Sequence, residues 1–212
     1  MTLIITSFID AIDNISVPEH NICICADGGY IRAKELNISP DMLIGDYDSS
    51  AMPDAPAIIL PRVKDMTDSE AAVDFAVSHG TRNIVVLGGL GGRLDHTMGN
   101  IGMLAKYAGS DCRLAFMDGI NFVYMLTPGA HIIKKTVYRN TYRYLGLISY
   151  GGKVNGLTVR GCKYTLTNHI LRDDTSLGVS NEILEDEAHL SFTDGKLLVI
   201  LSSDISSSDI DK

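Results

Sequence analysis

No apolar run in this sequence approaches the roughly 20 residues that a membrane-spanning helix needs, and the start, Met1-Thr2-Leu3-Ile4-Ile5-Thr6, lacks the basic flank of a secretory signal. Both absences predict a cytosolic protein with no membrane partner. Cysteine is sparse. Cys23 and Cys25 alternate within one apolar stretch while Cys112 and Cys162 stand alone, so neither a zinc spacing nor a disulfide framework results, and buried thiols are expected. Basic residues are outnumbered, 18 against 26 acidic, and the net charge of -8 argues against nucleic acid as a partner. An anionic substrate would need a local device, such as a metal or a basic pocket. What remains is ordinary for a globular chain: 212 residues, 45% hydrophobic and 21% charged, enough for one large domain or two small ones.

The stretch that organises the chain is Ile44-Gly45-Asp46-Tyr47-Asp48-Ser49-Ser50, which sets two acids one residue apart after the apolar run Met42-Leu43-Ile44. On a continuing strand Asp46 and Asp48 share one face, because side chains alternate with period two. Two carboxylates so placed repel each other wherever water is excluded, and a divalent cation removes the conflict. An exposed acidic turn is the plain alternative.

Upstream, Leu3 to Thr6 and Asn21 to Ala26 read as strands buried on both faces of a parallel sheet. The second ends in Asp27-Gly28-Gly29, where a glycine pair lets the backbone approach a ligand closely, and a helical stretch begins at Ile31. A plain strand-to-helix turn would look the same. Downstream, Ala57 to Pro61 reads as a short strand. Thr67 with Glu70 forms a capping box that opens a helix to about His79. Asp68 falls in the first turn of that helix, where the dipole favours a carboxylate, so capping explains part of the pattern. Capping does not explain Lys64-Asp65, a cation and an acid aimed at the same junction.

Asn83 to Leu87 is the clearest buried strand, and it runs into Gly88-Gly89-Leu90-Gly91-Gly92-Arg93-Leu94-Asp95-His96. Four glycines in five residues leave backbone N–H groups bare at a helix start, a ready anion site to which Arg93 adds a fixed cation. The spacing is neither a Walker A motif nor a clean GxGxxG. His96 and Asn100 lie four apart on one helix face beside Asp95, although a histidine at a helix start is often only a cap or a surface residue. Cys112 to Met117 and Asn121 to Leu126 close the strand-helix alternation.

Beyond, short alternating runs (Tyr142 to Ser149, Leu157 to Arg160, Tyr164 to Thr167, Ala188 to Phe192 and Lys196 to Leu201) predict a small antiparallel sandwich. Val154-Asn155-Gly156-Leu157 and Phe192-Thr193-Asp194-Gly195-Lys196 are of the type that closes tight hairpins. Ser176 to Glu182 carries hydroxyl and amide groups that suit a polar heterocycle or an ordinary loop. The expected organisation is an N-terminal α/β domain with a mainly parallel, Rossmann-like three-layer sheet over 1–128, a C-terminal antiparallel β-sandwich over 129–203, and a polar tail, 204–212, that frays. In an open parallel sheet ligands bind at the carboxyl edge of the strands, so the turns after Ala26, Ile44, Leu60 and Leu87 are all expected at one edge. Carboxylates for a cation, a glycine loop for phosphates and Arg93 together are the equipment of phosphoryl transfer.

Taken in order, Ala26-Asp27-Gly28-Gly29, Gly45-Asp46-Tyr47-Asp48-Ser49, Lys64-Asp65-Met66-Thr67-Asp68-Ser69-Glu70, Gly91-Gly92-Arg93-Leu94-Asp95-His96 with Asn100, and Ser180-Asn181-Glu182 resemble the thiamine pyrophosphokinases of bacterial type over almost the whole length. Each block alone is weak, and the set is specific. The resemblance implies transfer of the β,γ-diphosphate of ATP to the thiamine hydroxyl, giving thiamine diphosphate and AMP. It further implies Mg²⁺ held by Asp46, Asp48 and Asp68, and ATP held by Asp27, Gly28, Gly29, Gly91, Gly92, Arg93, Asp95, His96 and Asn100. Lys64 and Asp65 would flank the reacting groups. Ser180 and Asn181 would face thiamine in a homodimer whose site is shared between subunits. Three features depart from the family's pattern: Thr6-Ser7-Phe8-Ile9-Asp10 stands where members usually have a glycine, Tyr47 replaces a phenylalanine, and no tryptophan is present to stack on thiamine as in animal members. A pyrophosphokinase for another heterocyclic alcohol, such as a hydroxymethylpterin, and a non-catalytic nucleotide sensor are the rival readings.

Overall fold

Six short runs, apolar at nearly every position, form parallel strands: β1 (Thr2–Ile5), β2 (Ile22–Ala26), β3 (Met42–Gly45), β4 (Ala57–Ile59), β5 (Asn83–Leu87) and β6 (Arg113–Met117). The computed structural model describes residues 1–46 and 55–204, so Asp48 and the tail beyond Asp204 lie outside the described residues. By contacts the chain divides into a first unit, Met1–Asp13 with Val17–Gly119, and a second, Asn14–Ser16 with the chain from Ile120 onward.

In the first unit the pairings give the order β6-β5-β1-β2-β3-β4, all parallel. Three helices connect these strands: α1 (Gly29–Glu35), α2 (Asp68–Ser78) and α3 (Leu94–Tyr107). From β1 to β4 the chain winds in one direction. The connection through α2 then carries it back past three strands to β5, so the winding reverses between β1 and β5, the place in such sheets whose carboxyl ends receive ligands. Right-handed crossovers place α1 on one face of the sheet and α2 and α3 on the other. The latter two are tied by Lys106, whose Nζ lies 3.0 Å from Glu70 Oε1 and 3.0 Å from Asp74 Oδ1, and by the Tyr107 hydroxyl, which donates to Asp74. Burial on both faces accounts for the composition of the strands: Leu3, Ile4, Ile5, Ile24, Leu43, Ile44, Ile84, Leu87 and Phe116 are all but inaccessible. Each such side chain contributes about 1.5–3 kcal/mol of transfer free energy. Of the expected capping box the N-cap half is seen, with Thr67 Oγ1 accepting from the Glu70 N–H at 3.2 Å, while the Glu70 carboxylate pairs with Lys106.

The second unit is antiparallel throughout. One sheet runs in the order β14 (Asn181–Glu182), β11 (Tyr144–Ser149), β16 (Leu197–Ser202) and β7 (Asn121–Leu126). The other runs β13 (Leu166–Leu171), β12 (Val154–Arg160), β15 (Glu187–Phe192) and β8 (Gly129–Lys134). A small ribbon pairs β9 (Thr136–Val137) with β10 (Asn140–Thr141). Alternate residues are buried, Leu145 and Leu147 in the first sheet and Ala188, Leu190 and Phe192 in the second, as a two-layer arrangement requires. β7, read from sequence as the close of the strand-helix alternation, pairs with β16.

Both expected hairpins are corrected. Asn155-Gly156 sits inside β12, where the pairing with β13 shifts register between Val154 and Leu157, and the positive φ of Gly156 serves a bulge rather than a turn. Asp194-Gly195 does turn the chain, but it joins β15 to β16, which belong to different sheets. Among the described residues, no helix is long and apolar enough to cross a membrane.

Candidate active site

Asp46 is the first residue beyond β3, and Asp68 opens α2. Lys64, on the loop between β4 and α2, reaches both: its Nζ lies 3.2 Å from Asp46 Oδ2 and 3.3 Å from Asp68 Oδ1. The contacts differ in kind. Asp46 accepts a hydrogen bond, whereas the contact to the buried Asp68 Oδ1 is longer and falls short of good hydrogen-bond geometry, so it is the weaker of the two. Burial raises the Asp68 pKa above the ordinary carboxylate value, the Lys64 charge opposes the rise, and the charges of Asp46 and Asp27 add to it. Asp27 is near enough for its charge to be felt at Asp68. Burial works against the Lys64 ammonium, but the hydrogen bond to Asp46 and the neighbouring carboxylates prevail and raise its pKa. Asp65 is exposed and takes no part in these pairs. Among the described residues no three carboxylate, histidine or cysteine side chains gather as metal ligands, and Asp48, the third expected one, lies outside them. A buried carboxylate oxygen lacking a donor, beside a second carboxylate, is nonetheless a fit environment for a cation.

The turn after β2 is built on close approach. A Cβ on Gly29 would stand 2.0 Å from the Ile5 carbonyl oxygen, so α1 can begin against β1 only with glycine there. Asp27 adopts a φ of 48° and its N–H donates to the Ile44 carbonyl at 2.8 Å, which joins this turn to the end of β3. Arg32 of α1 donates from Nε to the Ser7 carbonyl at 3.1 Å and fixes the loop after β1.

The glycine loop after β5 differs from the bare cradle expected. Gly88 N–H donates to the Met117 carbonyl at 2.7 Å, Gly89 N–H to the Phe8 carbonyl at 3.1 Å and Gly91 N–H to Thr97 Oγ1 at 3.0 Å. These amides shape the loop from within. A Cβ on Gly88, whose φ is 89°, would stand 2.1 Å from the Phe8 carbonyl oxygen. Asn100 is 6% exposed and donates from Nδ2 to the Gly89 carbonyl at 2.7 Å, so it supports the loop from beneath instead of sharing an open face with His96. Arg93 and Asp95 are exposed at the helix start and form a two-point pair, at 3.2 Å through Nε and 2.6 Å through the terminal nitrogen. That hydrogen bond holds the Asp95 carboxyl below its ordinary pKa. His96 is also exposed, and its backbone N–H donates to Asp95 Oδ1 at 3.0 Å.

Sequence reasoning missed Thr6, Phe8 and Thr97. The Thr6 hydroxyl lies 3.1 Å from the Leu87 carbonyl and spans the ends of β1 and β5. Phe8 lays its ring against the glycine loop, where a Cβ on Gly91 would come within 3.2 Å of Cε1. A hydroxyl in the first turn of a helix that follows a glycine loop, and an aromatic residue just past a strand, were the signals available.

In the second unit Ser180 and Asn181 behave differently. Ser180, at φ 58°, lines a groove of about 590 Å³ with Tyr144, Gly146, Ile148, Glu182 and Ile200. Asn181 is buried and used internally: Oδ1 accepts from the N–H groups of Tyr164 and Glu182 at 2.9 Å each, and Nδ2 donates to the Tyr164 carbonyl at 2.8 Å. Asn181 thus holds the edge from which Ser180 projects. The Tyr144 ring supplies an aromatic surface in the groove, with the Arg143 guanidinium 4.9 Å from its centroid.

Comparison with known proteins follows the division of the chain. Residues 16–116 match the family profile described as thiamin pyrophosphokinase, catalytic domain, and residues 130–197 match thiamin pyrophosphokinase, vitamin B1 binding domain. Thiamine pyrophosphokinase of Bacillus subtilis (strain 168) is 31% identical over 194 residues, covering 88% of this chain and 89% of that protein. The crystal structure of the Bacillus subtilis enzyme superposes with a TM-score of 0.85 at 28% identity, over 97% of this chain and 100% of the other. That of thiamin pyrophosphokinase from Geobacillus thermodenitrificans gives 0.83 at 30% identity, over 97% and 99%.

Proposed function

The chain belongs to the thiamine pyrophosphokinase family, and from that membership we propose how its own residues move a diphosphoryl group from ATP to the hydroxyl of thiamine, giving thiamine diphosphate and AMP. The observation that carries the assignment of roles is the meeting of Asp46 and Asp68 on Lys64 at the carboxyl edge of a parallel sheet, with one Asp68 oxygen buried and lacking a donor. Asp46 and Asp68, with Asp48, would hold Mg²⁺, which when bound supplies the positive charge that spreads the phosphate negative charge during transfer. Lys64 and Asp65 stand beside the reacting groups. Arg93, Asp95 and His96 present polar groups at the start of α3, where the helix dipole also favours an anion, and Asp27, Gly28 and Gly29 line the neighbouring turn. Gly91 and Gly92 with Asn100 shape the loop that the nucleotide lies along.

Ser180 lines the groove that receives thiamine, and Asn181 positions it. With no tryptophan in the sequence, the aromatic ring at that groove is Tyr144. The working form is a homodimer whose thiamine site is shared between subunits.

Incubation of purified protein with ATP, Mg²⁺ and either thiamine or a hydroxymethylpterin tests the reading, with AMP as the readout. AMP release with thiamine is expected, together with its loss in Asp46→Asn and Asp68→Asn while circular dichroism stays that of the wild type. AMP with the pterin alone would overturn the acceptor assignment, and wild-type turnover in both variants would overturn the roles given to the acids.

A further inference from the structure

We propose that Lys64 is a resident counter-cation, occupying the ground between Asp46 and Asp68 until a divalent metal displaces it. The inference rests on the metal assignment above. Its basis is the mismatch between one ammonium and the two acids it serves. The Lys64 side chain is 14% exposed and touches both carboxylates, yet only the contact to Asp46 has good hydrogen-bond geometry, and the buried Asp68 Oδ1 is served poorly. Among the described residues one ammonium thus bridges two carboxylates, and the charge of Asp27 is also felt at Asp68. A single charge satisfies this group poorly.

A dication neutralises the pair more completely, but it cannot share the space with an ammonium, because like charges at that range repel strongly where water is scarce. Arrival of metal therefore requires departure of Lys64. The chain provides for this. Lys64 sits on a loop, carries a flexible four-carbon stem, and also donates to the Pro61 carbonyl at 3.3 Å, a contact independent of both acids. The expelled ammonium is then at hand for phosphate oxygens. Metal binding and the release of a phosphate-seeking cation become one event, and the metal-free acids are spared mutual repulsion in the meantime.

The test uses Mn²⁺ alone, with no nucleotide, counted by the electron paramagnetic resonance of the free ion, and thermal unfolding in EDTA and in Mn²⁺. Lys64→Met removes the competitor. It should bind Mn²⁺ about tenfold more tightly than wild type, a difference of about 1.4 kcal/mol. It should also melt lower in EDTA and gain more on Mn²⁺ addition. Mn²⁺ affinity in Lys64→Met equal to or weaker than wild type, with Asp68→Asn still abolishing binding, overturns the displacement and leaves the metal assignment standing. Binding that is absent from wild type and every variant overturns both. Should Lys64→Met not fold, Lys64→Arg gives the reading instead, because its guanidinium grips carboxylates at two points and must weaken Mn²⁺ binding. Unchanged affinity in Lys64→Arg overturns the proposal.

Discussion

The side-chain amide of Asn100 donates to the carbonyl of Gly89 at 2.7 Å and so fastens α3 to the loop from which it starts. The residue is buried. Asn100→Ala removes this bond from a half-buried acceptor and is expected to cost about 0.5–1.5 kcal/mol. For a chain of this size each kcal/mol corresponds to about 2–4 °C in Tm. Because the loop loses its support, KM for ATP should rise several-fold while KM for thiamine changes little. Thermal melts and initial rates check both, and an unchanged Tm would sink the supporting role.

Two glycines should respond in opposite senses to alanine. A Cβ at Gly29 would strike the Ile5 carbonyl at 2.0 Å, backbone against backbone, so Gly29→Ala must separate α1 from β1 and should lose several kcal/mol or fail to accumulate as soluble protein. Gly99 lies within α3 with open space where its Cβ would be, and Gly99→Ala should stabilise by about 0.5–1 kcal/mol. Urea titration of the two variants against wild type measures the contrast.

Ser180 reaches its groove from an edge that Asn181 holds by three hydrogen bonds. Ser180→Ala should raise KM for thiamine more than KM for ATP and leave the fold intact. Asn181→Ala should lower Tm as well, since it releases backbone groups of Tyr164 and Glu182. A Ser180→Ala variant affected chiefly in ATP KM would place that groove outside thiamine recognition.

All four cysteines are free and buried. Burial pushes the Cys162 thiol up to about 11, so less than about 1% is thiolate at pH 8, and a thiol reagent should find almost none of the four in the native protein and all of them in guanidinium. The folded pKa exceeds the unfolded one. Cys162 therefore contributes stability that is complete below about 8.5 and is lost as pH rises towards 11. A Tm that does not fall across that interval once other titrations are matched, or rapid native labelling, would contradict the burial.

Apolar runs marked β1, β2, β3, β5 and β6, because a strand buried on both faces leaves little choice of residue. The meeting of Asp46, Lys64 and Asp68 was legible too, since strand-end acids and helix-first-turn acids have few places to go in a parallel sheet. Partners were not legible. Asn155-Gly156 carries the same positive-φ signature whether it closes a hairpin or bulges a strand, and only the neighbouring strand decides. The direction of Asn100 was equally hidden, because residues 96 and 100 share a helix stripe whose tilt against the sheet sets one in water and the other in the core.

The bridge from Lys106 and Tyr107 to Glu70 and Asp74 has a mechanical meaning. One helix begins with the acid that the lysine loop touches, and the other with the arginine end of the glycine loop. Latched together, the starts of the two helices are held in one arrangement, so that on the proposed reading the nucleotide and the metal would meet in a geometry set by the scaffold instead of being found anew at each turnover.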